Sequence, residues 1–125
     1  MASLPNSGAQ SESFYHRDVK WSSREKIAAR RAFEQALQRE FEIVMNETRQ
    51  RAAKIKEPAD LWSLEDFLTE SRKKIDRDFD YRYSQLIEVF AILIERGRLT
   101  LEELDGLREE KIDQIRSIVE FYKAS

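Results

Sequence analysis

Three side chains in this sequence have the types and spacing to recognise a partner. Trp62 and Asp66 lie one helical turn apart, and Arg72 follows about a turn and a half further on. Trp and Arg are the residues most often found as binding hot spots, and a nearby Asp can hold the Arg in register or meet a basic group. The spacing is equally compatible with a structural arrangement in which Trp62 closes an open helix end and Asp66 bonds Arg72. Asp76, Asp78 and Asp80 form a D-x-D-x-D string that begins like a calcium loop, but its sixth position is Tyr81 rather than Gly and its twelfth is Ile87 rather than Glu. A solvated ion-pair face is expected instead, with Asp76 and Asp80 sharing a side and pairing with Arg72, Arg77 or Lys73.

Other chemistry is excluded by inventory. With Cys 0, disulfides, thiolate nucleophiles and cysteine-ligated metals are impossible. His16 is the single histidine and sits in the N-terminal tail as an exposed bystander, which removes histidine-based metal sites, phosphotransfer and Ser/His/Asp hydrolysis. Three scattered glycines make no phosphate-cradling loop, so no cofactor and no metal is expected. Lys+Arg 22 against Asp+Glu 24 leaves a net charge of -2, with no positive field to hold nucleic acid. Every apolar run ends well short of the roughly 18 residues of a membrane span, and no signal-peptide pattern opens the chain, so the cytoplasm is the default compartment.

The strip residues need a long helix to carry them. At 125 residues, 41% hydrophobic and 37% charged, the chain is expected to be one all-α domain over residues 22–125 behind a mobile tail, 1–21, whose Phe14, Tyr15 and Trp21 are more simply exposed than docked. Ser22-Ser23-Arg24-Glu25 is a capping box, and Ile27, Phe33, Leu37, Phe41, Val44, Thr48, Ala52 and Ile55 carry an apolar stripe to about residue 56. Asp60 is expected to cap a second helix of about 60–96, whose stripe runs through Leu61, Leu64, Leu68, Ile75, Phe79, Leu86, Phe90 and Leu93 until Gly97. The two stripes match in length and predict an antiparallel hairpin. Leu86-Ile87-Glu88-Val89-Phe90-Ala91-Ile92-Leu93-Ile94 is apolar almost all round and needs a cover. A third segment of about 100–122, opened by the Thr100-to-Glu103 box and with Gly106 as a candidate break, supplies it.

That cover reaches only one end of the hairpin. The remaining stripe predicts a homodimer, an elongated helical bundle with Met45, Phe41, Leu37, Leu61 and Leu68 at the contact, against the alternative of an elongated monomer.

The stretch from Ser71-Arg72-Lys73-Lys74-Ile75-Asp76 to Glu95-Arg96 resembles the first helix of the small helical chorismate mutases, which keeps an enzyme as a remote alternative. A more selective resemblance covers about 90 residues. Asp60-Leu61-Trp62-Ser63-Leu64-Glu65-Asp66-Phe67-Leu68, Arg72, Ile75-Asp76, Asp80-Tyr81-Arg82-Tyr83-Ser84 and Val89-Phe90-Ala91 look like the central helix of the cyanobacterial fluorescence recovery proteins. Ala36-Leu37-Gln38-Arg39-Glu40 is similar to a stretch in that family's first long helix. The resemblance implies a non-enzymatic dimer that binds the C-terminal domain of the photoactivated orange carotenoid protein, speeds its return to the orange form and ends quenching at the phycobilisome. It also implies a location in the cytoplasm, peripheral to the thylakoid face. Carried over by position, Trp62, Asp66 and Arg72 match the family's functional patch, Glu65 stands beside them where the family commonly has His, and Met45 falls at a dimer contact. The departures at Glu65 and at Glu88 leave a fluorescence-recovery-like dimerisation or scaffold protein with a different partner as the main alternative.

Overall fold

The computed structural model describes residues 20–125, and every regular element among them is helical. Helix α1 is Ser23–Ala53, α2 is Pro58–Asp78, α3 is Leu86–Glu95, a 3-10 turn spans Leu101–Leu104, and α4 is Glu109–Ala124. Residues 1–19 of the expected tail, with Phe14, Tyr15 and His16, lie outside the described residues. Trp21 does not behave as a tail residue: its ring is half-buried, 5.6 Å from Tyr83 and under the Lys111 ammonium.

At the start of α1 the Ser22 hydroxyl accepts from the Glu25 amide, and the Glu25 carboxylate accepts from the Ser22 amide at 3.0 Å, so two orphan donors are satisfied. The first turns bury Ala28, Ala29, Ala32, Phe33 and Ala36. Ile27, expected on the stripe, points outward instead, because the four alanines form the face that lets neighbouring elements approach closely. Gly106 does so within contact of Ala28, at a φ of 115° that disfavours any side chain. α1 and α2 make the predicted hairpin, turned through residues 54–57. Asp60 is not the cap of α2. Pro58, with its preset φ and no amide hydrogen, takes the first position, and the Asp60 carboxylate reaches back to the Lys56 and Glu57 amides.

The expected continuous helix over 60–96 is broken at 79–85. No Gly or Pro marks the site. Phe79 and Tyr81 pack edge-on against Phe33 of α1, at 5.6 and 4.8 Å between ring centroids, and Arg30 lies 3.9 Å over the Tyr81 ring. These contacts, together with Asp78 buried under Arg96, outweigh local helix propensity. The break separates a stalk, made of α2 and the C-terminal part of α1, from a head built by the start of α1, α3, the 3-10 turn and α4.

The head core joins Ala29, Ala32, Phe33 and Ala36 to Leu86, Val89, Phe90, Ala91 and Leu93 of α3, with Leu99, Leu104, Ile115 and Val119 closing it. The C-terminal segment therefore covers α3, as its nearly all-round apolar surface demands, and it bends at Gly106. Each large side chain withdrawn from water contributes about 1.5 to 3 kcal/mol.

Candidate interaction surface

α2 is fixed against α1 along one side only. Leu64 and Phe67 are half-buried, and the Arg51 guanidinium sits 4.4 Å over the Phe67 ring. The opposite side of α2 carries Trp62, Glu65, Asp66 and Arg72, all exposed, with Trp62 retaining 60% of its accessible surface. At 3.6 residues per turn the four fall within about a third of the helix circumference and about 15 Å of its length. Among the described residues, no ion pair or side-chain hydrogen bond engages Glu65, Asp66 or Arg72, whereas neighbouring charges do pair: Lys73 with Glu70 at 3.6 Å, Arg77 with Asp78, and Arg51 with Glu47. Trp62 thus does not close the hairpin end, and Asp66 does not bond Arg72.

Large apolar side chains are also exposed on α1 and α2. Phe41 and Met45 of α1, each 43% exposed, and Leu61 and Leu68 of α2 lie open to solvent. Leu37 is placed differently, half-buried against the head core. Leu61 and Leu68 occupy the helical rows next to Glu65 and Arg72, so on α2 these leucines border the charged strip.

The aspartate string is divided among three fates. Asp78 is buried and bonded to Arg77 and Arg96, and Asp80 is chelated by Arg82, which holds its carboxyl below the usual range. Asp76 is exposed and bonded to neither Arg72 nor Lys73. Among the described residues, no cluster of three or more His, Cys, Asp or Glu side chains is arranged to hold a metal ion, and no helix is long and apolar enough to cross a membrane. Arg72 and Lys73 point to solvent rather than converging on an enclosed cavity of the kind a mutase needs.

The head that holds α2 in place is locked by ion pairs that sequence inspection missed. Lys111 of α4 donates to both Glu25 oxygens at 3.2 and 3.1 Å and to the Lys20 carbonyl at 2.6 Å, while the Arg108 amide donates to Glu25 at 2.9 Å. Burial alone would raise the Glu25 pKa, but the Ser22 and Arg108 amides and the Lys111 charge together lower it. Arg39 grips Glu103 with two parallel bonds at 2.8 and 2.6 Å, chiefly through which the Glu103 carboxyl is pulled down to about 2. Arg98 donates to Glu40 at 2.6 Å. The signal was available: Glu40 continues the buried row of Phe33 and Ala36, and Lys111 that of Ile115 and Val119. A charge on a buried row requires a partner. Glu88, an interruption of an apolar run, accepts from the Tyr122 hydroxyl at 3.2 Å.

A family model described as photoprotection regulator fluorescence recovery protein matches residues 21–119. The fluorescence recovery protein of Synechocystis sp. (strain ATCC 27184 / PCC 6803 / Kazusa) is 36% identical over 101 residues, covering 81% of this chain and 93% of that protein. The solved fluorescence recovery protein of Fremyella diplosiphon superposes with a TM-score of 0.78 at 40% identity, over 81% of this chain and 99% of that one. The Synechocystis sp. PCC 6803 structure superposes with a TM-score of 0.77 at 36% identity, over the same shares.

Proposed function

Since the chain belongs to the fluorescence recovery protein family of photoprotection regulators, we propose that it acts on a carotenoid-binding photoprotein through the strip on α2. The client is the photoactivated orange carotenoid protein, bound at its C-terminal domain by Trp62, Glu65, Asp66 and Arg72. Binding returns it to the inactive form and ends quenching at the phycobilisome. The observation that supports this reading is the exposed strip whose charges have no partner among the described residues. An indole, two carboxylates and a guanidinium held on one rigid helix are preorganised for a partner surface, so little ordering entropy is lost on binding.

No covalent step is involved. A protein that binds the barrier to compaction more tightly than the activated state speeds relaxation tenfold for each 1.4 kcal/mol of that difference. The working form is a homodimer joined through Phe41, Met45, Leu61 and Leu68, with Leu37 at its edge; these apolar residues are open to water in the single chain, which supports a second copy as their cover. The site of action is the cytoplasm, at the cytoplasmic face of the thylakoid.

The test is co-elution of the protein with photoactivated and dark-adapted orange carotenoid protein on size exclusion. The reading predicts a complex that Trp62→Ala removes without altering the fold. Absence of a complex with either form at tens of micromolar would favour a different partner for the same strip.

A further inference from the structure

The exposed charges on this side of α2 extend past Arg72, and among the described residues only Lys73 of that row is paired, with Glu70. Positions 62, 65, 66, 69, 72, 73 and 76 recur at helical spacing on one side of α2, a row about 21 Å long. Its charges alternate in blocks: Glu65 and Asp66 are acidic, Arg72 and Lys73 are basic about 10 Å along, and Asp76 is acidic again about 5 Å beyond. Asp76 has no evident structural duty. Its companions Asp78 and Asp80 are taken up by Arg96 and Arg82, and the nearby cations Arg72 and Lys73 leave it unbonded. It also stands in the last turn of α2, where a negative charge opposes the helix macrodipole. The fold is therefore slightly better off without this carboxylate.

We propose that Asp76 is a specificity-determining residue of the interaction surface, and that the surface fits a partner face bearing a basic, an acidic and a second basic group in that order, beside an apolar notch for Trp62. This rests on the reading of the strip as the client-binding site and adds to it the charge pattern of the client. Complementary charges in sequence fix the register of a helix on its target and penalise a slipped or reversed docking, which a Trp and a single Arg alone leave undetermined.

Asp76→Asn and Asp76→Lys in the full chain, each assayed for binding to photoactivated orange carotenoid protein beside Trp62→Ala, test the proposal. Asp76→Asn is expected to weaken binding about threefold to tenfold and Asp76→Lys more, both deficits shrinking at 0.5 M salt (roughly a 4 Å Debye length), while the melting temperature stays level or rises. A merely structural Asp76 would show the opposite, a lower melting temperature with unchanged affinity, and would overturn the proposal. Unchanged or tighter binding by both Asp76 variants while Trp62→Ala abolishes it would reject the role of Asp76 and leave the strip intact. Normal binding by Trp62→Ala would remove the underlying reading instead.

Discussion

Lys111→Met should unlock the head. In the wild type the Glu25 carboxylate is 1% exposed and receives four donors, two from the Lys111 ammonium and one each from the Ser22 and Arg108 amides. Methionine fills much the same space but leaves a buried anion with only neutral donors, strips the Lys20 carbonyl of its donor, and removes the cation 4.9 Å above Trp21. Breaking one side of a buried pair costs about 3 to 5 kcal/mol, because the remaining charge is stranded. For a chain of 125 residues, at roughly 4 °C per kcal/mol, the melting temperature should fall by about 12 to 20 °C. Glu25→Gln combined with Lys111→Met should recover part of that loss, since the stranded charge is gone; the coupling energy is expected at about 1 to 3 kcal/mol. Thermal melts and urea titrations of the four proteins of this cycle supply the readout. A Lys111→Met loss below about 1 kcal/mol, or additive single losses, would refute the view that this pair locks the two helix starts together. The wild-type Glu25 pKa is lowered, so its contribution is complete above the ordinary carboxylate range and fades as pH falls below it. The gap between wild type and Lys111→Met should therefore narrow in acid.

Three further outcomes are expected. Glu103→Gln should lower stability at pH 7 by about 1 kcal/mol, a value discounted for the partial exposure of the Arg39 pair. As the Glu103 carboxyl is held at about 2 from an ordinary 4.5, that contribution is full above about pH 4.5 and lost toward pH 2, where melts of variant and wild type should converge. If the proposed homodimer meets through Met45, Met45→Glu should place a carboxylate in that contact and weaken dimerisation by about 3 kcal/mol or more, roughly a hundredfold, seen as a halved mass in light scattering. Arg72→Lys keeps the charge but loses the planar fork, so client binding should weaken about tenfold while the melting temperature holds.

The parts of this fold that are readable in sequence are those set by neighbours in the chain. The Ser22 and Thr100 capping boxes form as their spacing demands. The apolar turns of α3 are buried because no face of that helix can be left in water. The break at 79–85 was illegible because no residue there refuses a helix; what ends α2 is the contact of Phe79 and Tyr81 with Phe33, far earlier in the chain, and the burial of Asp78 beside Arg96. Ile27 was misplaced for a related reason, since a stripe of alanines carries a closer contact than a stripe of bulky residues and gives a weaker hydropathy signal. The strip on α2 was legible in composition and spacing because one helix carries all of it. Its lack of internal partners was not, as sequence offers Asp66 and Asp76 cations within reach and only the folded helix leaves them unbonded.

On the proposed function, this helical protein hastens the relaxation of a photoactivated carotenoprotein by binding alone. The direct measurement is the red-to-orange decay of orange carotenoid protein in the dark, followed by its absorbance with increasing amounts of this protein. The rate should already rise at substoichiometric protein, since nothing is consumed, level off once the carotenoprotein is saturated, and lose this dependence with Trp62→Ala. A decay indifferent to saturating protein would contradict it.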